Sequence, residues 1–269
     1  ANVNTDFEAR TYEGENGEDI GGLVRSERAR WVERVLLWGQ LSGEHLLFGE
    51  SKLDWRLTGA RADRDEPLMR ESIYLFEPAD DEYFLLDDSN SGLYLFTDLV
   101  DDDLSGAFDW RFPFQLLGNE AAVKFGAYYR NRTRDFGARR LNWNFIFGTI
   151  TDLDQALDEG TVISSFPSSE GEFRIDEVVE PGDLYDADDE RIAGYLMFEV
   201  PVTSRLQAIL GARVETYRLG LNSRGNNLQS IDQTDLAPSL NLIYSATDDV
   251  KIRGSLSQTV DRPEFRELA

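Results

Sequence analysis

The sequence predicts an all-β fold, a transmembrane antiparallel β-barrel, present here as about eight or nine strands of a larger one. Three observations predict it. The segment Arg205–Tyr217 keeps a two-residue period with incompatible faces, Leu206, Ala208, Leu210, Ala212 and Val214 against Arg205, Gln207, Gly211, Arg213, Glu215 and Tyr217, with Ile209 the apolar exception. Strand side chains alternate between sheet faces, so one face is apolar and the other ionic. Connections between such segments alternate short and long. Finally, no apolar run is long enough for a transmembrane helix.

Composition narrows the alternatives. The 269 residues carry a formal charge of −24 and no Cys, which excludes disulfides, thiolate metal sites and cysteine nucleophiles. Such acidity is unsuited to nucleic acid. Aromatic residues make up 12% of the chain, against the composition of disorder. Ala1–Arg10 has neither the basic start nor the apolar core of a signal peptide.

In chain order, Asn2–Arg10 reads as the upper end of a strand. Arg30–Glu44 leads through His45–Ser51 into Lys52–Arg64, where Leu53, Trp55 and Leu57 oppose Asp54, Arg56 and Thr58. Leu104–Leu116 sets Phe108, Trp110, Phe112, Phe114 and Leu116 against Asp109, Arg111, Pro113 and Gln115. Leu117–Glu120, with Gly118-Asn119 inside it, is a hairpin turn into Ala121–Asp135. Arg191–Pro201 enters Arg205–Tyr217 through Val202–Ser204. Leu236–Ser245 and Val250–Thr259 are joined by Ala246–Asp249.

The long connections read as external loops at about 11–29, 65–102, 138–189 and 221–234, another beginning near Val260. All short turns then fall on one rim and all long loops on the other, as in outer-membrane barrels. The whole of 1–269 reads as a piece of one barrel domain, with both ends of the barrel lying beyond it. An apolar face such as Phe108-Trp110-Phe112-Phe114 forgoes roughly 1.5–3 kcal/mol per side chain if left in water. Lipid covers that face, a wet lumen solvates the other, and strand pairing satisfies the backbone.

Candidate functional residues are few. His45, the only histidine, reads as a solvated turn residue. The acid runs Asp80-Asp81, Asp87-Asp88, Asp101-Asp102-Asp103 and Asp188-Asp189 suit Ca²⁺ by their oxygen ligands, though none has the spacing of a Ca²⁺ loop. No resident cofactor and no catalytic group is expected. Tyr74, Phe76, Tyr83, Phe84, Tyr94 and Phe96 are candidate ligand contacts in the external loops, where flat rings stack on sugars or aromatic chelators. Trp55, Trp110, Tyr129 and Tyr244 face lipid as girdle residues. Arg111, Lys124, Arg130, Arg213 and Arg253 line the lumen.

The C-terminal run from Arg253 to Leu268 resembles a recurrent barrel segment of TonB-dependent outer-membrane receptors, carried by Arg262, Pro263, Phe265, Arg266, Glu267 and Leu268. Val123–Arg140, ending in Arg134, Asp135, Phe136, Arg139 and Arg140, is similar to the same family. So is Lys52–Pro67, with Leu-Asp-Trp-Arg followed by Ala-Asp-Arg-Asp-Glu-Pro. The resemblance implies a plugged barrel of about 22 strands in the bacterial outer membrane. It implies contact with outer-membrane lipid and lipopolysaccharide, and coupling to the TonB complex through a region outside this sequence. It further implies a small-molecule or oligosaccharide ligand, carbohydrate by motif style with siderophores as the rival, and lumen bases that contact a plug or guide an anionic substrate. Two other readings are a soluble extracellular glycan-binding or glycan-cleaving β protein and a passive porin-type channel.

Overall fold

The structure, a computed structural model, describes residues 1–16, 22–86, 91–116, 118–145, 173–180, 182–223 and 227–268. The strands are β1 (Asn2–Asn16), β2 (Gly22–Leu46), β3 (Lys52–Glu77), β4 (Glu82–Leu85), β5 (Leu93–Leu116), β6 (Asn119–Phe145), β7 (Phe173–Val178), β8 (Leu184–Pro201), β9 (Leu206–Ser223), β10 (Asn227–Ser245) and β11 (Lys251–Ser257). A 3₁₀ turn, Phe48–Glu50, separates β2 from β3, and a single helical turn, α1 (Phe265–Leu268), follows β11. The strands pair in the order β1-β2-β3-β5-β6-β8-β9-β10-β11, with β4 beside β3 and β7 beside β6.

The short connections fall where alternation placed them, between β2 and β3, β5 and β6, β8 and β9, and β10 and β11. Leu117, within the second, lies outside the described residues. Gly118 adopts φ +78, a conformation that favours glycine.

The far ends of the strands are a correction. Much of what reads as external loop at 11–29, 65–102, 138–189 and 221–234 is paired strand. Tyr12 through Asn16 pair with Ser26 through Gly22. β3 continues to Glu77 and β5 begins at Leu93. Leu219 and Leu221 of β9 pair with Ile231 and Gln229 of β10. Apolar alternation ends with the apolar band, whereas the backbone ladder does not need it: polar strands continue as long as N–H and C=O groups find partners. Residues 17–21, 87–90, 146–172, 181 and 224–226 of those segments lie outside the described residues. At the other end of the chain, β11 covers Lys251–Ser257 within the expected Val250–Thr259.

Contacts divide the chain into two compact units. One comprises Ala1–Leu36, Ala62–Val100 and Phe136–Leu184; the other comprises Leu37–Arg61, Asp101–Asp135 and Tyr185–Ala269. The second has the two-faced sheet. Register aligns Phe198, Leu210 and Leu240 across β8, β9 and β10, and Val200, Ala208 and Leu242 two residues on. Leu256 extends the first row onto β11. Phe198, Leu210, Leu240 and Leu256 are all exposed, so the face is a bare apolar band. On β5 and β6 the rings pack laterally, Trp110 stacked on Phe112 at 4.7 Å between centroids and Phe112 on Phe125 at 6.0 Å.

The first unit has a buried apolar cluster. Val24 and Val32 of β2, Met69 and Tyr74 of β3, Leu85 of β4 and Leu93 of β5 are each buried. Ser91 ties the edge of this cluster to β3, its hydroxyl accepting from Ile73 N–H at 3.1 Å and donating to Ile73 C=O at 3.0 Å.

Candidate functional site

The polar face of the second unit is an ion-pair lattice built from alternate residues. Arg111 donates to Glu199 at 3.0 Å. Lys124 lies 3.7 Å from Asp109, which also accepts the Tyr195 hydroxyl. Gly126 makes that last bond feasible: a Cβ there would lie 2.6 Å from the Tyr195 ring and against the Phe108 carbonyl. Arg130 donates to Asp103 at 2.6 Å. Arg132 donates to Asp101 at 2.6 Å, and Arg134 bonds the same carboxylate. Arg213 donates to Glu215 at 2.8 Å. Four of the five expected lumen bases, Arg111, Lys124, Arg130 and Arg213, therefore sit in this lattice. Arg253 stands exposed on β11.

The residues after β11 lie against this polar face. Arg262, 9% exposed, bonds Asp235 of β10, lies 3.8 Å from Glu215 of β9, and places its guanidinium 5.0 Å from the Tyr217 ring centre. Phe265, 2% exposed, receives the guanidinium carbons of Arg132 and Arg134 at 5.0 and 5.3 Å. Such cation–π contacts strengthen when desolvated. Asp261, Glu264, Arg266 and Glu267 remain exposed. Sequence reading puts a loop after the last strand; the structure shows residues 258–268 as a strap, seated through Arg262 and Phe265 over β9–β10 and β6.

Two carboxylates here end on opposite sides of the usual carboxylate range. Burial pushes the Asp101 carboxyl up, but the hydrogen bonds from Arg132 and Arg134 together outweigh it and hold it below the usual carboxylate range. Asp101 lies beyond the apolar band, which ends on β5 at Leu104. Asp189, 5% exposed on β8 and likewise beyond the band, has an Oδ1 without a hydrogen-bond partner. Burial raises it, and Arg130, Arg132 and Arg191 only partly offset this.

The candidate ligand aromatics belong to the first unit and are strand residues: Tyr74 and Phe76 on β3, Tyr83 and Phe84 on β4, Tyr94 and Phe96 on β5. Tyr74 is buried. Phe76 packs on Tyr83 at 5.2 Å, and the Arg25 guanidinium lies 4.8 Å from the ring centres of both Tyr74 and Tyr83. These rings pack on one another and on Arg25, correcting their expected place in loops: β-pairing of β3 with β4 brings Tyr74 opposite Leu85 and Phe76 opposite Tyr83.

The same unit contains a cluster that sequence reading passed over. Glu66 is 3% exposed and binds Arg30 at 2.6 Å, Arg64, and the Thr97 hydroxyl at 3.3 Å. An acid inside Ala-Asp-Arg-Asp-Glu-Pro gives no sign in sequence that it is buried. The Arg130, Arg132, Arg134 spacing on one face of β6 was the legible signal for the other cluster.

The acid runs do not converge. Asp101 and Asp103 meet arginines on the polar face, while Asp102 bonds Arg61 at 3.2 Å. Asp80 and Asp81 occupy the turn between β3 and β4, with Asp81 at φ 54. Asp87 and Asp88 lie outside the described residues. Among the described residues no group of three or more acids or His is placed to hold a metal ion. His45, expected in the turn, is a residue of β2, one before its end, and accepts the Trp55 indole N–H at 3.0 Å, the ring of Trp55 covering Gly43.

A sheet bare and apolar on one face and ion-paired on the other defines the wall of a membrane β-barrel. The chain belongs to the family described as TonB dependent receptor-like, beta-barrel, whose profile matches residues 29–269. It is a partial barrel of the bacterial outer membrane, and its family is one of receptors and transporters rather than enzymes. Several solved structures are similar to this chain. The pyoverdine outer membrane receptor FpvA from Pseudomonas aeruginosa PAO1 matches with TM-score 0.53 and 15% identity, over 94% of this chain and 38% of that one. The siderophore receptor PiuA from Acinetobacter baumannii matches at 0.41 and 11%, over 94% and 44%. The ferric citrate transporter FecA matches at 0.45 and 10%, over 94% and 38%. The chain thus spans about two-fifths of the length of these structures. No curated protein matches it.

Proposed function

We propose that the protein containing this segment imports a scarce small-molecule nutrient across the outer membrane, energised through TonB. The observation that carries this reading is the bare apolar band backed by an ion-paired polar face, in a chain of the TonB-dependent receptor family. The band requires lipid, so the soluble glycan-binding or glycan-cleaving reading lacks the second layer it would need. Family membership favours energised transport over a passive porin.

In this reading the short connections face the periplasm and the long ones the outside. Ligand is captured by half-buried rings of the first unit, Tyr83, Phe84, Tyr94 and Phe96, with Tyr74 and Phe76 as their packing support. Lattice bases such as Arg111 and Arg213 face the plug. The ligand class is a carbohydrate or a chelated ferric ion. A strain lacking the gene, and the same strain lacking TonB, should lose growth on one member of a panel of oligosaccharides and ferric chelates. Wild-type uptake of every compound in the TonB-deficient background would refute energised import.

A further inference from the structure

Charge is divided unequally between the two units. Each holds 39 charged residues by sequence, so only the balance differs. The first unit has 29 acids against 10 arginines and carries −19 of the net −24. The second has 22 acids against 17 bases, and its polar face sets them against one another in ion pairs. Solubility alone does not call for this division, because both units are equally rich in charge.

Arginines of the first unit lie against carboxylates already. Arg28 is 3.5 Å from Glu71, Arg30 and Arg64 share Glu66, and Arg139 and Arg140 donate to Glu177 and Asp183 at 2.9 Å. Other acids stay open to water. Glu13 and Glu15 on β1 are exposed, as are Glu77, Asp80, Asp81 and Glu82 around the turn between β3 and β4. Among the described residues, Asp80, Asp81 and Glu82 meet no cation. Register sets Glu77 directly opposite Glu82, a like-charge pair that costs stability.

The rings of this unit supply a second, independent observation. The Arg25 guanidinium lies 4.8 Å from the ring centres of Tyr74 and Tyr83. Aromatic faces attract guanidinium and ammonium groups, so Arg25 displays the chemistry these rings accept. Its side chain is 31% exposed, within reach of an incoming ligand. Glu27, 3.1 Å away, can hold it once it leaves the rings. The unit also contains the ends of β2, β3, β5 and β6 remote from the short turns, which are the external ends in the proposed orientation.

We infer that the protein takes a cargo of net positive charge, whose ammonium or guanidinium group displaces Arg25 from the face of Tyr83. The acidic unit draws such a ligand in and repels anionic chelates and acidic oligosaccharides. Fields of this kind change association rates by about 10–1,000-fold, most strongly at low salt. The inference rests on the proposed function and narrows its ligand to an amino-sugar oligosaccharide or a ferric chelate with a free basic group.

Two pairs of probes separate charge from shape. One is a glucosamine oligosaccharide and its N-acetylated form; the other is a ferric trihydroxamate with a free ammonium group and its N-acetylated form. Affinity is measured on the full-length protein in detergent by calorimetry, and association rate by stopped-flow fluorescence. The cationic member of one pair should bind about tenfold tighter than its acetylated twin, with the advantage shrinking as salt rises. The pair that responds identifies the source. The triple variant Asp80→Asn, Asp81→Asn, Glu82→Gln should slow association of the cationic probe several-fold. Tyr83→Leu should weaken its binding about tenfold, whereas Arg25→Gln, which frees the ring, should tighten it. All variants are checked as folded by the heat-dependent gel shift of the barrel. Binding of neither cationic probe, no preference over the acetylated twins, or an unchanged preference in folded Tyr83→Leu overturns the inference. Uptake of the bound probe by cells lacking TonB would instead overturn the proposed function and leave the charge selection standing.

Discussion

Two regions of the molecule, a buried cluster in the first unit and the bare band of the second, treat apolar surface in opposite ways. The first buries Val24, Val32, Met69 and Leu93 and accommodates one deeply buried acid, Glu66, by surrounding it with Arg30, Arg64 and Thr97. The second leaves Phe198, Leu210 and Leu240 bare and places its charges on the opposite face in chains of ion pairs. The difference teaches that hydrophobicity here reports the solvent rather than depth in a core. Where the solvent is hydrocarbon, exposure of a leucine stabilises, and the costly substitution is a surface charge.

The largest expected effect tests the strap. Phe265→Ala removes a buried ring held between two guanidinium groups, a change that costs about 3–5 kcal/mol in a packed interior. Hydrogen exchange and limited proteolysis at residues 258–268 should show the strap released, with the barrel gel shift retained. Unchanged protection would mean that Phe265 does not seat it.

Next, Leu210→Arg on the apolar band should cost about 2–4 kcal/mol, the range for a cation near the bilayer midplane. The matched change Arg213→Leu on the polar face should cost less, measured by urea unfolding in lipid vesicles. Equal costs would erase the distinction between the faces. In the first unit, Glu66→Ala strands two arginines and should cost about 2–3 kcal/mol. That is below the range of about 3–5 kcal/mol for a fully buried pair, because Arg30 and Arg64 keep some solvent. Glu66→Gln should recover part of the loss.

The smallest effect is on pH. The folded-state pKa of Asp101 is held below its ordinary value, so its contribution is fully present above the ordinary carboxylate range and lost as pH falls through the depressed value. Asp189 has the opposite sign. Its raised folded-state pKa makes the ionised form a burden, so protonation favours the folded state as pH falls into and below the carboxylate range. Asp189→Asn should therefore stabilise the strap region at neutral pH and flatten its acid dependence, read by exchange at residues 258–268. Asp101→Asn should destabilise it at neutral pH.

Legibility followed solvent. Phe108 to Phe114 and Leu206 to Val214 alternate because lipid and water select opposite residues on successive positions, and so their strands were readable. Beyond the band no lipid selects apolar residues on one face, alternation lapses, and stretches such as residues 65–77 of β3 read as loop. Tyr74 and Phe76 looked like loop aromatics for that reason. Arg262 and Phe265 were legible as a motif but not as a seat, because their partners lie on β6, β9 and β10, distant in sequence.

By itself, the sequence determined the all-β class, the apolar and polar faces, the short turns and the family, since each of these is written in local periodicity or contiguous motif. Only the tertiary structure decided which charges meet: Glu66 with Arg30, Asp101 with Arg132 and Arg134, Arg262 with Asp235. It also decided that Gly106 lies against Leu57. Those outcomes depend on strand register, and register places together residues that no local pattern connects.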